Sequence, residues 1–180
     1  MNLAIKSLKW LLVLGILLLP NVSQANEDPA PDAFNKLIGE WAIEDSMLNK
    51  EGKWVSGPGA DWSFYKILNG AAIQDDWISP SMDSPEPKQG RQYGTNVRIY
   101  NPQEKRWEML WASNTGKKLE GFVATADGSK IVMRGDYNGA DTRITFYAIE
   151  EQSFAWKMER IIDEQWKEIY RIKGVRKDAS

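Results

Sequence analysis

Apolar and polar residues alternate along most of the chain beyond residue 39, in short runs separated by Gly, Asn, Asp and Pro. A period of two means strands with one buried face, and the interruptions are residues that make turns. The pattern is cleanest over residues 94–113. Two alternating runs flank residues 101–105, and a hairpin folded about Gln103 sets Ile99 against Trp107 and Val97 against Met109. Directly opposed residues of an antiparallel pair share a face, so the same register sets Arg98 against Glu108 on the other side. It predicts that Val97, Ile99, Trp107, Met109 and Trp111 face a core and that Arg98 and Glu108 face water.

The same test extends to the other turns. Asn69-Gly70 sets Trp62 against Trp77, Phe64 against Asp75 and Lys66 against Ile73. Thr115-Gly116 sets Met109 against Phe122 and Trp107 against Ala124. Asp127-Gly128 sets Phe122 against Met133 and Ala124 against Ile131, and Asn138-Gly139 sets Met133 against Ile144 and Ile131 against Phe146. A loop over 150–152 sets Phe146 against Trp156 and Ile144 against Met158, with Arg143 facing Glu159 outside. The last hairpin, around Asp163-Glu164-Gln165, is ambiguous by a residue or two, with Trp166, Glu168, Tyr170 and Ile172 looking the same way as Trp156 and Met158. Residues 80–92, broken by Pro80, Pro85, Pro87 and Gly90, read as a surface loop. Earlier in the chain, Asp32 is placed to cap a short helix ending near Ile38, and Gly39-Glu40-Trp41 opens the first strand.

One apolar face is thus handed from strand to strand through an up-and-down meander. Such a meander leaves two exposed edges unless it closes. The expected fold is all-β: an antiparallel up-and-down barrel of about 8–10 strands with a short N-terminal helix, which has room for one small ligand. An open sheet packed on itself is the alternative.

The beginning of the chain follows a different pattern. Lys6 and Lys9 precede an apolar run over 10–19, Pro20 ends it, and Ser23-Gln24-Ala25 offers small residues for cleavage. This reads as a signal peptide cut after Ala25, too short for a stable membrane anchor, and implies a periplasmic or secreted protein. The expected organisation is 1–25 signal peptide, 26–36 leader and short helix, 37–175 barrel, and 176–180 a polar tail that frays.

Composition then narrows the chemistry. All 25 acidic residues but only 21 of the 23 basic ones follow residue 25, a net charge of −4 that argues against a nucleic-acid partner. The chain has no Cys and no His. That removes disulfides, a lipid-modified Cys, His-based triads, His-bearing zinc sites and the usual haem ligand. Oxygen-ligand metals and carboxylate, Lys, Tyr or Arg chemistry stay open, but no cofactor or metal is expected. The sequence leaves the oligomeric state open.

Parity puts four charged residues on the apolar face: Lys66, Asp75, Arg160 and Glu168, with Glu120 at a rim. A charge inside a barrel needs a partner, water or a ligand. Arg160 suits a carboxylate through two parallel hydrogen bonds. The expected ligand-contacting set is Trp62, Phe64, Trp77, Val97, Ile99, Trp107, Met109, Trp111, Phe122, Trp156, Arg160 and Tyr170. Three readings follow. The first is a barrel that binds a small, mostly apolar or amphiphilic molecule without catalysis. The second is an enzyme of hydrolase or isomerase type using Lys66, Asp75, Arg160 and Glu168. The third is a filled barrel serving as a structural or interaction module.

Gly39-x-Trp41 after a short helix resembles the opening motif of lipocalins and the wider calycin superfamily. The resemblance implies that Trp41 sits at a closed end under a late Arg, for which Arg171 and Arg176 both qualify. Ile99-Tyr100-Asn101-Pro102 with Trp107 and Trp111, then residues 143–147 and Ser153-Phe154-x-Trp156, is similar to an exported bacterial family of undefined function, the DUF1579-type group. In place of a Ser-x-Asp-Gly-Gly-x-x-Trp turn found in that group, this chain keeps only Asp163 and Trp166. Haem-binding relatives in the superfamily rely on His, so haem is disfavoured here, with only Tyr or Met left as ligands.

Overall fold

The computed structural model describes residues 30–178, so the expected signal segment, the leader up to residue 29 and the last two residues lie outside it. Eleven strands follow in order: Gly39–Leu48 (β1), Trp54–Ser56 (β2), Ala60–Ile67 (β3), Ala72–Ser79 (β4), Gln92–Asn101 (β5), Arg106–Ser113 (β6), Leu119–Asp127 (β7), Lys130–Asp136 (β8), Asp141–Tyr147 (β9), Ser153–Ile162 (β10) and Gln165–Arg176 (β11). From β3 to β11 each strand pairs antiparallel with the next, and β1 joins β3 to β11. That last pairing, Trp41 opposite Arg176 through Met47 opposite Tyr170, closes a ten-stranded barrel and removes the edges an open meander would expose. The short β2 pairs with β1 at Ser46–Leu48, beyond the end of β3.

Hairpin chemistry sets most registers as the sequence pattern requires. Trp62 faces Trp77 and Phe64 faces Asp75 around the 68–71 turn. Met109 faces Phe122, Met133 faces Ile144, and Phe146 faces Trp156. The β7–β8 turn is the tight Gly128-Ser129 pair between Asp127 and Lys130, so Phe122 meets Gly135 rather than Met133. That two-residue slip preserves the face.

Two strands depart from expectation. In β5, Asn101 stays in the ladder opposite Arg106 and its side chain accepts from the Gln103 and Glu104 amides at 3.1 Å each. The loop is therefore 102–105, Arg98 faces Met109, Ile99 faces Glu108, and the inward face of β5 is Asn96, Arg98 and Tyr100. Val97 and Ile99 are exposed on the outside, while Arg98 is fully buried. The Arg98–Glu108 surface pair does not form; Glu108 pairs with Arg106 at 2.8 Å. In β11 a bulge places Met158 opposite Tyr170 but Glu159 opposite Glu168, which leaves Ile169 as the extra residue. Tyr170 and Ile172 keep the inward parity; Trp166 and Glu168 lose it.

The expected N-terminal helix is only two 3-10 turns, Ala30–Asp32 and Asn35–Leu37. The segment is too short to nucleate an α-helix, and Asp32 accepts from the Asn35 side-chain amide rather than from a backbone N–H. Its role is to plug one end of the barrel with Phe34 and Leu37, both fully buried. Trp41 completes the plug. Its indole donates to the Leu37 carbonyl at 2.7 Å, and the Arg176 guanidinium lies 4.1 Å from its ring. Arg176 also donates to the carbonyls of Lys36, Ile38 and Glu151 at 2.9, 2.8 and 2.6 Å. Arg176 is therefore the covering arginine, and Arg171 instead stacks on the half-exposed Trp54 at 3.5 Å. The segment expected to fray is held at least through Lys177, which pairs with Asp61 at 2.6 Å.

Candidate ligand-binding site

With one end plugged, the barrel is filled there and hollow towards the other. The open end is formed by the turns after β1, β4, β6, β8 and β10. Below it lies a cavity of about 1010 Å³, at the top of the roughly 300–1,000 Å³ range of small-molecule sites. Trp62, Trp77, Trp111 and Trp156 line it together with Phe122 and Phe146. Trp62 is the hub of this wall, with ring centroids 5.3 Å from Trp77, 5.6 Å from Phe146 and 6.5 Å from Trp156. Room for the Trp111 ring comes from Gly94 on the neighbouring strand, where a Cβ would overlap the indole.

The predicted contact residues divide by depth. Trp62, Trp77, Trp111, Phe122, Trp156, Arg160 and Tyr170 line the cavity. Phe64, Trp107 and Met109 are buried in the core at the plugged side and do not line it. Val97 and Ile99 stand on the outer wall, where they line a shallow groove with Leu110 and Val123. Their expected inward position fails because β5 turns its polar face to the interior.

The four charges expected to act together are separated. Lys66 is exposed at the plugged end of β3, opposite Ile73. Glu168 lies beyond the bulge on the outer surface and pairs with Arg171 at 2.7 Å. Asp75 is fully buried, paired with Arg98, and accepts a second bond from the Asn96 amide at 3.2 Å. Arg160 remains at the mouth. Its Nη2 donates to the Tyr137 carbonyl at 2.9 Å, while its Nε is buried without a partner among the described residues. No carboxylate pairs with Arg160 among those residues. Glu120 sits at the rim as expected, bonded to the Asn138 amide at 2.7 Å and to Lys118 at 2.8 Å.

Several site residues escaped the sequence pattern. Asp45 is buried near the mouth, where it accepts from Tyr170 at 2.7 Å and from the Gly59 amide at 2.8 Å. Its alternation with Trp41 and Ile43 already placed it inside. Burial, reinforced by the bond to Asp45, holds the Tyr170 phenol protonated far above its ordinary range. Burial also raises Tyr137, whose neighbour Glu120 acts the same way. Gln92 accepts from the Trp77 indole at 3.2 Å and fixes that ring. The neighbouring Arg91 pins the long 80–91 loop through the carbonyls of Pro80 and Ser84. Among the described residues no three acidic side chains converge on a metal position.

This arrangement can bind. It holds an apolar body among indoles and offers an unpaired guanidinium where the body would end.

No protein-family model matches the sequence, and no curated protein matches it. Solved structures do match in shape. An S-type phycobiliprotein lyase from Guillardia theta superposes with a TM-score of 0.57 at 11% identity, covering 83% of this chain and 93% of that one. Rv2717c from M. tuberculosis gives 0.56 at 12% identity, covering 83% and 98%. Identities this low speak to the fold alone. Together with Trp41 under Arg176, they make the molecule a closed, lipocalin-like β-barrel.

Proposed function

We propose that this protein binds one small, mostly apolar molecule bearing an acidic group, inside the barrel and without transforming it. The observation that carries the reading is the pairing of a large Trp-walled cavity with Arg160, a mouth guanidinium that no described carboxylate neutralises. Aromatic walls supply contact area, and a few placed polar groups orient the guest. Arg160 suits a carboxylate or a similar planar anion. The likeness to an S-type phycobiliprotein lyase lends support from the fold only. The signal-like segment over 1–25 supports work in the periplasm or outside the cell, and the DUF1579-type resemblance rests on the quoted residues alone.

Titration of the purified protein with dodecanoate, followed by Trp emission and by displacement of 1-anilinonaphthalene-8-sulfonate, tests the reading. Saturable binding of one molecule per chain supports it. The absence of any emission change with either probe sinks it.

A further inference from the structure

We propose that the cavity has a second polar subsite, at its floor, which takes a neutral oxygen of the guest, best a hydroxyl. The inference rests on the reading above and specifies the chemistry of the ligand's buried end.

The floor is built around Asp75 and Arg98, both fully buried. Arg98 uses only Nη2 on Asp75; its Nε and Nη1 are buried with no partner among the described residues. Phe34 and Phe64 lie 4.9 and 5.2 Å from the guanidinium and hold its plane. Asn96 turns its NH2 to Asp75, because a carboxylate only accepts, and this leaves Asn96 Oδ1 buried and unpartnered. The Trp62 indole N–H is also buried and unpartnered. Trp62, Asn96 and Arg98 all line the same cavity. Four of the five buried side-chain polar atoms without a partner among the described residues therefore belong to these three lining residues, three donors and one acceptor.

Charge decides what fits. Asp75 cancels Arg98, so the floor is neutral overall, and an anion there would meet the Asp75 carboxylate. A hydroxyl accepts from Arg98 or Trp62 and donates to Asn96 Oδ1; a ketone uses the donors alone. Arg160, with no acid partner, remains the anion site. Trp156, whose ring lies 6.5 Å from Trp62, is on the same strand as Arg160 and four residues away, about 13 Å along β10. The guest is thus an elongated molecule, anionic at the mouth, apolar between, and hydroxylated or oxidised at its far end.

Parallel titrations with dodecanoate and 12-hydroxydodecanoate test this. Without a floor subsite, carrying a hydroxyl into the cavity weakens binding. With it, the hydroxy acid binds about tenfold tighter, the effect of a good hydrogen bond to a charged donor. The double variant Asp75→Leu/Arg98→Leu removes the pair together, sparing the fold an orphaned charge, and is expected to erase or invert that preference. Trp62→Phe is expected to reduce it. Equal or weaker binding of the hydroxy acid by the native protein, or an unchanged preference in the double variant, overturns the subsite while leaving the cavity reading standing. If neither acid binds, both fall.

Discussion

Arg98 and Asp75 form an ion pair in which neither side chain is exposed at all, midway down the inside of the barrel. A buried pair adds little relative to well-packed apolar residues, but breaking it leaves one charge unsatisfied. Arg98→Met and Asp75→Leu should each destabilise the barrel by about 3–5 kcal/mol, and the double variant should recover most of the loss. Urea midpoints of the three variants measure this. Additive losses would mean the two residues do not depend on one another.

That pair also shows where reading the sequence succeeds and where it stops. Trp62, Trp77, Met133, Ile144, Phe146 and Trp156 are apolar residues on strands joined by strong turns, so alternation alone puts them inside. On β5 the two faces compete: Val97 and Ile99 against Asn96, Arg98 and Tyr100. Hydrophobicity favours the first set, but Asp75 is already fixed inside by the β3–β4 turn and needs a cation. Arg98 supplies it, and both β5 aliphatics turn to solvent. The requirement was visible in the sequence; which cation would meet it was not. The β11 bulge left only an ambiguity of a residue or two in the last hairpin, and it is the pairing of Glu159 with Glu168 that reveals Ile169 as the extra residue. Arg91 was silent too, because its partners are mostly backbone carbonyls.

Arg176 and Trp41 seal the plugged end in a way that depends on Gly39. Gly39 has φ +128, and a Cβ there would collide with Arg176 Nη1 on its way to the Ile38 carbonyl. Arg176→Ala removes three backbone hydrogen bonds and the stacking over Trp41, for an expected loss of about 2 kcal/mol or more. Arg176→Lys keeps the charge without the fork and should restore only part. Gly39→Ala should destabilise by about 1–3 kcal/mol through backbone strain alone. Thermal and urea unfolding check all three; full rescue by Lys would show that only the charge matters.

Glu159 gives the barrel a pH dependence of known sign. Arg143 holds its carboxylate with two bonds of 2.8 Å and Lys157 adds one of 3.1 Å; the Arg143 bonds above all bring its pKa below the ordinary 4.5. A depressed carboxylate contributes stability that is present above its unfolded pKa and lost as pH falls through its folded one. The contribution is therefore complete at neutral pH and fades below about 4.5. Glu159→Gln should lower the urea midpoint at pH 7 and matter much less at about pH 3. An equal loss at both values would assign Glu159 a packing role instead.

Arg160 is the residue on which ligand choice turns. Its half-buried guanidinium is anchored by the Tyr137 carbonyl at 2.9 Å, and Tyr137 itself stands 5.9 Å away with its ring towards the charge. The anchor fixes direction without neutralising the cation. An acid reaching the mouth gains a charge-assisted hydrogen bond that an alcohol of equal length does not. Arg160→Gln preserves much of the shape and removes the charge. The affinity ratio of dodecanoate to dodecanol should therefore fall about tenfold or more, corresponding to roughly 1.5–3 kcal/mol. Isothermal titration of both ligands against native protein and variant gives the ratio directly. Salt separates a local contact from a diffuse one: a bond at a half-buried cation should persist at high ionic strength, whereas steering by surface charge should vanish. A ratio unmoved by Arg160→Gln would place the acid elsewhere on the rim.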